Sequence, residues 1–445
     1  MMNRRVTRWA GRWSGYGLAL LLVLMIVDLQ IGGSGGEAAP IVSGWRAVGE
    51  LEAGFSRVAL EPPPDCPLGG FAARRGAIAD TVLDSVGASA MVLRAGGRSI
   101  AIVAVDLVLI PEALREGVAA RVDCDALWVC ATHTHAGPGG HWDNALAEAF
   151  GLGRFDLAWT EQLEERIVES VTRARQTLQP ARLRWGIDEE HGLARPRSNT
   201  DRSESAPLVV VSVSADRPDR QPALGGLIVH AAHPTILGRR SRALSSGWPG
   251  RASSALSHRF GGEWLVLQGA AGDLGAAPCE GGRSAEACME SYGGAVANAA
   301  IGIPLRSSSE RALWASTASR APLKANAAGL VPAPFQVAAS NALSFFARDP
   351  VRLDLLRLGS LALVGVGAEP VRASGRALAL GVAAELPGTT PVVVGLTNGY
   401  LGYVEEPDRV CARVGEAERV YYGAALHTSL VDLAVAAAQS SSQTQ

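Results

Sequence analysis

The chain lacks the charge pattern of a nucleic-acid-binding protein. Its 41 Lys and Arg residues are balanced by 43 Asp and Glu residues, and no long basic run occurs. Because binding to a phosphate backbone needs clustered positive charge, this composition excludes nucleic acid as a partner. Only 19% of the 445 residues are charged and 48% are hydrophobic, which predicts a folded body with an extensive core.

Cysteine is also scarce, and its spacing excludes two further classes. The six cysteines are scattered and form no C-x-x-C pair, so they indicate neither a cysteine-ligated zinc site nor a small disulfide scaffold. Cys279 and Cys288 bracket the polar loop "CEGGRSAEAC", and we expect these two to be bridged. This amount of cysteine is compatible with an exported protein.

Two other absences shape the prediction. No G-x-S-x-G elbow occurs, which argues against a serine hydrolase of the α/β-hydrolase type. No internal repeat and no separating linker is visible, so we expect one large mixed α/β domain. A hairpin around "AGG" in "ASAMVLRAGGRSIAIVAVDLVLI", the helical pattern "PEALREGVAARV" and the buried strand "ALWVCATHTH" follow one another, as in an α/β core.

The N-terminus has the pattern of a targeting segment. "MMNRRVTRWAGRW" carries four arginines, and the apolar run "GYGLALLLVLMIV" is short for a bilayer span and typical of a signal peptide. An uncleaved membrane anchor and a buried N-terminal helix are the alternatives. We therefore divide the chain into a signal peptide or anchor (1–39), a folded body (40–437) and a disordered tail (438–445). We expect export to the periplasm or the extracellular space, where the N-terminus could associate with the membrane.

Histidine is concentrated in one short stretch. Of eight histidines, His133, His135 and His141 fall within "ALWVCATHTHAGPGGHWDN". Alternate residues of a strand share a face, so His133 and His135 are expected to project to the same side, beside a "GPGG" loop that lets backbone approach a ligand. The pair predicts either metal ligation or a hydrogen-bonded structural pair.

Other potential ligands also follow apolar runs. They are Asp106, His230, His233, Asp273, Glu369, Tyr400 and Tyr403. In open α/β sheets, ligands bind outside the carboxyl ends of strands, so residues far apart in sequence can converge there. Two histidines and a carboxylate with one open position form the usual first shell of a hydrolytic zinc site, and this ligand set suits zinc better than calcium or magnesium.

An ordered set of motifs resembles a known family. "AGFSRVALEPPPDCPLGGFAAR", "THTHAGPGG", "HPT", "QGAAGD", "GAEP", "GLTNGYLGYVEEP" and "YYGAALHT" are similar to segments of the neutral/alkaline ceramidases, and they span Gly49 to Leu433. These enzymes are zinc-dependent amidases that cleave the N-acyl bond of ceramide. The resemblance implies the catalytic domain of that family, with Zn²⁺ as cofactor and a lipid or other N-acyl amide as substrate.

Carried over position by position, the resemblance assigns individual roles. The implied zinc ligands are His133, His233, Glu369 and Tyr403. The implied catalytic residues are His135 beside the metal, Tyr421 as oxyanion stabiliser and Arg197 as the family's active-site arginine. Asp106 or Asp273 is expected to orient a ligand imidazole, as carboxylates often do around zinc. His230 is expected to be a packed histidine, because one ligand from its segment is sufficient.

The sequence departs from the family at several points. Gly275 stands where the family has an active-site serine, and Trp248 stands where an acidic residue is expected. The chain also ends soon after "HTSLVDLAVAAAQ", which led us to expect no C-terminal immunoglobulin-like domain. We therefore expect a zinc-dependent amidohydrolase that uses metal-activated water, since zinc lowers the pKa of bound water from about 15.7 to about 7. The alternative is a catalytically silent relative that binds a lipid or envelope ligand.

Overall fold

The computed structural model describes residues 39–189, 192–197, 206–216, 223–279, 281–307, 312–327, 331 and 335–443. The basic flank and the apolar run of the predicted leader lie outside these residues. Within the described ranges, no helix combines the length and the apolar character needed to cross a membrane.

Strands and helices alternate along the chain. The strands are β1 (Ile41–Val48), β2 (Glu52–Ala59), β3 (Thr81–Val82), β4 (Gly87–Ala95), β5 (Arg98–Val105), β6 (Ala126–Ala131), β7 (Gln179–Asp188), β8 (Ala194–Pro196), β9 (Leu208–Ala215), β10 (Ala223–His230), β11 (Ala243–Leu244), β12 (Glu263–Gln268), β13 (Leu274–Ala276), β14 (Arg306–Ser307), β15 (Ala312–Arg320), β16 (Val351–Leu358), β17 (Leu361–Val366), β18 (Glu369–Pro370), β19 (Thr390–Val394) and β20 (Tyr403–Val404). The helices of six or more residues are α1 (Glu112–Ala119), α2 (Leu157–Gln176), α3 (Gly247–Phe260), α4 (Ala285–Gly302), α5 (Gln336–Phe346), α6 (Arg372–Glu385), α7 (Pro407–Ala412) and α8 (Ala424–Gln443).

Two sheets form the centre of the fold. The larger has the spatial order β12-β10-β9-β7-β2-β4-β5-β6, with β14 beside β7, and the smaller has the order β1-β15-β16-β17-β19. Most neighbouring strands are antiparallel, whereas β5 with β6, β10 with β12 and β17 with β19 are parallel. The predicted hairpin around "AGG" is confirmed as β4 and β5.

The two sheets pack face to face between layers of helices. Side chains of both sheets share one core, including Met91, Ile102, Trp128, Leu356 and Leu363. The other face of the large sheet is covered by α2 at one end and by α3 and α4 at the other, and α6 and α8 cover the small sheet. The expected single mixed α/β domain is confirmed as this helix, sheet, sheet, helix arrangement.

Burial on both faces explains the continuous apolar strands. In β5 every residue from Ser99 to Val105 is buried, because the inner face meets the small sheet and the outer face meets α2. Asp156 caps the start of helix α2, and its carboxylate accepts a hydrogen bond from the main-chain N of Trp159. Its buried positions, such as Leu163, Ile167 and Val171, recur at helical spacing.

The final helix runs past the point at which we expected a tail to begin. Helix α8 continues to Gln443, and Ser441 is buried there. The Ser441 hydroxyl lies 3.2 Å from that of Ser316 in β15 and hydrogen bonds the main-chain oxygen of Ala437. Packing against the small sheet therefore keeps this serine-rich segment helical, although its composition alone suggested a solvated end.

Candidate metal centre and adjoining active site

The three parallel strand pairs bring the candidate residues to one end of the sheets. His133 follows β6, His233 follows β10, and Glu369 follows β17. Neighbouring main chains join these ends: the side-chain amide of Gln268 donates to the main-chain oxygen of Thr132, and the N–H of Gly395 donates to the oxygen of Gln268. The carboxyl ends of strands from both sheets therefore surround one site.

His133 reaches the site through an unusual backbone conformation. We expected it on a strand, but β6 ends at Ala131 and His133 lies in the following loop with a φ of 65°. A residue other than glycine rarely adopts this left-handed conformation, which tends to occur at functional sites. The turn places Nδ1 of His133 2.6 Å from the main-chain oxygen of Val108 and directs Nε2 into the site.

His233 is oriented in a similar way. Its Nδ1 lies 2.8 Å from the main-chain oxygen of Ala271 and 3.1 Å from that of Leu274. The main-chain N–H of His233 donates to the main-chain oxygen of Leu274, and the residue forms an isolated β-bridge with Gly275. Main-chain carbonyls therefore hold the Nδ1 side of both His133 and His233, so each Nε2 points inward.

Glu369 joins the two imidazoles. Its Oε2 lies 3.2 Å from Nε2 of His133 and 3.0 Å from Nε2 of His233. Its other oxygen, Oε1, accepts a hydrogen bond of 2.7 Å from the hydroxyl of Tyr400. Burial alone would raise the pKa of the Glu369 carboxyl, but positive charge at the Nε2 positions of the two neighbouring histidines holds that pKa well below its ordinary value. The carboxylate is therefore ionised.

His135 completes a cluster of three imidazoles. Its Nε2 lies 3.4 Å from Nε2 of His133, and the ligand atoms of His133, His135 and His233 all lie within 4.8 Å of one another. The ring packs against Phe71, with ring centroids 4.7 Å apart, and against Gly70, where a Cβ would approach Nδ1 to 2.8 Å. Burial is the main reason that the pKa of His135 is well below its ordinary value.

The donor set fits a divalent cation. A neutral imidazole carries one N–H, yet both nitrogens of His133 and of His233 face oxygen atoms. Burial lowers the pKa of His233 to about 4, so a second proton is disfavoured on that ring. With Nδ1 donating to a carbonyl, the Nε2 lone pairs and the Glu369 carboxylate face each other. A cation placed between the Nε2 lone pairs and the carboxylate would remove their mutual repulsion, and the group of three histidines can hold a metal ion.

Tyr403 and Arg197 also contact Nε2 of His233. The phenolic oxygen of Tyr403 is 3.0 Å from Nε2 of His233, and Nη1 of Arg197 donates to the same phenolic oxygen over 3.1 Å. Arg197 also donates to the main-chain oxygen of Gly272 and lies 4.0 Å from Glu416. Burial, together with the Glu369 charge, raises the pKa of Tyr403 well above its ordinary value. The structure brings both residues to the histidine cluster, and their roles as a metal ligand and as an active-site arginine stay predictions.

Tyr421 lies farther from the imidazoles and lines an apolar cavity. The cavity has a volume of about 130 Å³, and its wall includes Tyr421 and also Tyr400, whose hydroxyl donates to Glu369. The remaining lining residues include Leu109, Trp142 and Leu343. Burial raises the pKa of the Tyr421 hydroxyl, so this group stays protonated and can act as a hydrogen-bond donor.

The remaining candidates have structural contacts. Asp106, expected to orient an imidazole, instead accepts hydrogen bonds from Arg57, Gly87 and Thr132, so the orienting role falls to main-chain carbonyls. Asp273 accepts a hydrogen bond from the main-chain N of Arg372. His141 contacts the main-chain oxygen of Leu109 and lies outside the cluster, and His230 packs, as expected, on Trp248 and Tyr292.

Near the site, Tyr400 was only one of several potential ligands in the sequence, and two further residues, Arg74 and Glu416, were given no role. Tyr400 lies in the quoted "GLTNGYLGYVEEP" motif, and its position after an apolar run was the available signal. Arg74 donates to the main-chain oxygens of His135 and Gly69 and so holds the histidine loop. Glu416 pairs with Arg197 and Arg419. No local pattern marks the contact of Arg74 with His135 or of Glu416 with Arg197, because these partners are distant in sequence.

The fold and the site together define a class of α/β proteins. Two sheets pack face to face in these proteins, and a buried group of histidines and a carboxylate at the strand ends can hold a metal ion. No family model matches the sequence. Over a stretch of 112 residues the chain is 36% identical to the neutral ceramidase of Pseudomonas aeruginosa. This stretch covers 23% of this chain and 17% of that relative. The matched stretch thus spans less than a fifth of the relative's length.

Solved structures resemble the chain over most of its length. The crystal structure of neutral ceramidase from Pseudomonas aeruginosa matches with a TM-score of 0.74 and 21% identity, over 87% of this chain and 74% of that one. A ceramidase complexed with C2 matches with a TM-score of 0.73 and 20% identity, over 88% and 75% of the two chains. The chain therefore has the neutral ceramidase fold, and the predicted resemblance is confirmed at that level.

Proposed function

We propose that this chain is a zinc-dependent amidohydrolase that cleaves the N-acyl amide bond of a ceramide-like lipid amide. The observation that carries the proposal is the convergence of Nε2 of His133 and of His233 on one carboxylate oxygen of Glu369. The shared fold and the 36% identical segment of neutral ceramidase support the same reaction class.

Four residues would hold the ion, namely His133, His233, Glu369 and Tyr403. A bound zinc ion supplies an activated water nucleophile and polarises the substrate carbonyl. Because Nδ1 of each histidine ligand donates to the main chain, its Nε2 stays unprotonated and available. Arg197 donates to the phenolic oxygen of Tyr403 and so opposes the rise that burial and the Glu369 charge cause in the pKa of that phenol.

His135 is the group best suited to move a proton. Burial keeps its ring neutral, and its Nδ1 has no hydrogen-bond partner within the part of the chain that the structure describes. A neutral imidazole at this position accepts the proton of the attacking water and returns it to the leaving amine nitrogen. The Tyr421 hydroxyl donates to the oxygen that becomes negative in the tetrahedral state, a contribution of about 3 to 4 kcal/mol for one donor.

The apolar cavity supports a lipid chain as part of the substrate. Its wall includes Leu109, Trp142 and Leu343, and Tyr400 joins it to the site through a hydrogen bond to Glu369. A hydrocarbon chain buried there gains about 0.8 kcal/mol for each methylene group removed from water. We therefore expect turnover to increase with the chain length of the substrate until the cavity is filled.

Zinc analysis combined with an amide panel tests the proposal. The purified protein is expected to contain about one zinc per chain and to hydrolyse N-acyl sphingosines, and thorough chelation should abolish the activity. His233→Ala should lose both metal and activity, whereas His258→Ala, an exposed histidine of α3, should retain both. Activity that survives chelation would rule out zinc dependence.

The role of His135 can be separated from that of a ligand. If it moves protons, His135→Ala keeps its zinc and loses turnover; if it is a ligand, the variant loses zinc as well. Stoichiometric zinc without turnover of any amide would favour the second candidate, a silent relative that binds a lipid or envelope ligand. The observation that favours this second candidate is Gly275, which carries no hydroxyl where the ceramidases have a serine.

We further propose that residues 1–39 direct export and that the body (40–437) acts in the periplasm or outside the cell. The basic flank and the apolar run of the leader support this location. Fractionation of cells that express the full chain, compared with a chain lacking residues 1–39, tests it. Recovery of both chains in the cytoplasmic fraction would contradict export, and retention of the full chain in membranes would indicate an uncleaved anchor.

A further inference from the structure

A second, larger cavity lies beside the candidate metal centre. It has a volume of about 860 Å³ and is lined by segments around Arg195, Gly275 and the Cys279–Cys288 disulfide. Three arginines contribute to its wall: Arg195, Arg197 and Arg283. None of the described lining residues is acidic. A concave surface lined by charges of one sign concentrates ligands of the opposite sign.

The cavity is connected to the candidate metal centre through Arg197. This residue lines the cavity, and its Nη1 also contacts the phenolic oxygen of Tyr403 and Nε2 of His233. The floor at Gly275 pairs with the main chain of Arg195 on one side and of His233 on the other. One molecule can therefore place a group in the cavity and another group at the metal centre.

Two of the arginines are not neutralised by acidic neighbours. Among the residues that the structure describes, no ion pair includes Arg195 or Arg283, and Arg283 donates instead to the hydroxyl of Ser291. By contrast, Arg197 has Glu416 at 4.0 Å. A guanidinium group binds carboxylate, sulfonate or phosphate through two parallel hydrogen bonds, which makes arginine the usual residue for such groups.

We propose that this cavity binds an anionic group of the amide substrate, and that Arg195 and Arg283 determine that specificity. The inference rests on the proposed amidohydrolase function and narrows its substrate class to amides that carry a carboxylate, sulfonate or phosphate. Gly275 contributes by leaving the floor of the cavity open, because a side chain at this position would project beside Arg197.

Matched amide pairs test the specificity. N-dodecanoyltaurine carries a sulfonate on the amine half, N-dodecanoylethanolamine is its neutral counterpart, and the mono-ethanolamide of dodecanedioic acid carries a carboxylate on the acyl half. We expect the wild type to prefer one charged amide over the neutral one. In Arg195→Ala/Arg283→Ala, kcat/KM should fall about tenfold or more for that charged amide and stay unchanged for the neutral one.

Two further variants sharpen the comparison. Arg376→Ala removes an exposed arginine of α6 outside the cavity and should behave as the wild type. Arg195→Lys/Arg283→Lys keeps the charge but not the planar hydrogen-bonding fork, and should fall between the wild type and the double alanine variant. Equal rates for charged and neutral amides in the wild type, or equal losses for both in the double alanine variant, would overturn the inference.

Direct binding separates this inference from the proposed function. Calorimetry with N-dodecanoyltaurine and N-dodecanoylethanolamine does not depend on turnover. Tighter binding of the sulfonate that weakens with salt and disappears in Arg195→Ala/Arg283→Ala would support the anion site even if no amide is hydrolysed. Hydrolysis of neutral amides combined with no arginine-dependent binding of the sulfonate would leave the proposed function standing and overturn the anion site.

Discussion

The hydroxyl of Tyr400 donates a hydrogen bond of 2.7 Å to Oε1 of Glu369, the oxygen that faces away from the two histidines. The other oxygen, Oε2, is thereby left to face His133 and His233. Burial, together with the Glu369 charge, raises the pKa of Tyr400 well above its ordinary value, so the hydroxyl remains a donor. Tyr400 is therefore a positioning residue for the proposed carboxylate ligand.

Tyr400→Phe is expected to weaken metal binding without disrupting the fold. The substitution removes one hydroxyl and frees Glu369 to rotate, and the loss of such an outer contact typically lowers metal affinity about 10- to 100-fold. A competition titration against a zinc chelator measures the change. Tyr422→Phe, a buried tyrosine of the neighbouring cavity, is the matched control and should bind zinc as the wild type does. Equal affinity in both variants would show that Tyr400 does not position the ligand.

The carboxyl group of Asp349 is expected to make the free energy of unfolding depend on pH. Its carboxyl lines the apolar cavity, and burial, with Glu112 and Glu116 nearby, raises its pKa from 3.8 to about 6. Because the folded state binds this proton more tightly than the unfolded chain, the contribution to stability is complete below about pH 4 and is lost as the pH rises through about 6.

Asp349→Asn cannot ionise and should therefore gain stability relative to the wild type over that pH range. We expect the variant to be about 1 to 2 kcal/mol more stable than the wild type at neutral pH, a figure reduced for the solvent that still reaches this side chain. Urea unfolding across the pH range measures the difference. Asp143→Asn, at an exposed site, is the control. A difference between Asp349→Asn and the wild type that does not change with pH would contradict the prediction.

Two glycines near the site should respond differently to substitution. A Cβ at Gly272 would lie 2.8 Å from the main-chain oxygen of Glu369 and 2.9 Å from main-chain atoms of Pro370 and Val371. Among the residues that the structure describes, a Cβ at Gly275 would meet only Cγ of Arg197, at 3.5 Å. The first contact involves backbone that carries a proposed ligand, whereas the second is an ordinary van der Waals distance.

Gly272→Ala is therefore expected to cost about 2 kcal/mol or more in the free energy of unfolding, and to lower zinc occupancy because Glu369 must shift. Gly275→Ala should change stability by about 0.5 kcal/mol or less. Denaturant unfolding of the two variants with the wild type measures both effects. Similar stability losses in the two variants would show that the close backbone contact at Gly272 does not constrain the chain.

The Cys279–Cys288 disulfide, predicted from the sequence and present in the structure, closes a short loop at the rim of the larger cavity. Its removal in Cys279→Ala/Cys288→Ala should lower the free energy of unfolding by about 2 to 3 kcal/mol, the chain-entropy value for a loop of this length. Cys411→Ala, which removes an exposed free cysteine, should leave stability unchanged. Equal stability of wild type and double variant under oxidising conditions would contradict a structural role.

Much of the fold could be predicted from local patterns. The alternation of buried strands and amphipathic helices indicated an α/β body, and the "AGG" hairpin and helix α2 are formed as expected. The sandwich of two mostly antiparallel sheets was not predicted. Pairing between strands far apart in the chain, such as β1 with β15, depends on long-range contacts that leave no local periodicity.

The sequence by itself determined which chemistry is available: imidazole, carboxylate and phenol groups placed where apolar runs end, and a resemblance to the ceramidases. Only the tertiary structure decided which of these groups meet. His133, His233 and Glu369 come together, whereas His141 and His230 serve packing. The physical reason is that main-chain carbonyls of Val108, Ala271 and Leu274 orient the imidazoles of His133 and His233. Every residue has the same main-chain carbonyl, so the amino-acid sequence does not show which carbonyls take this role.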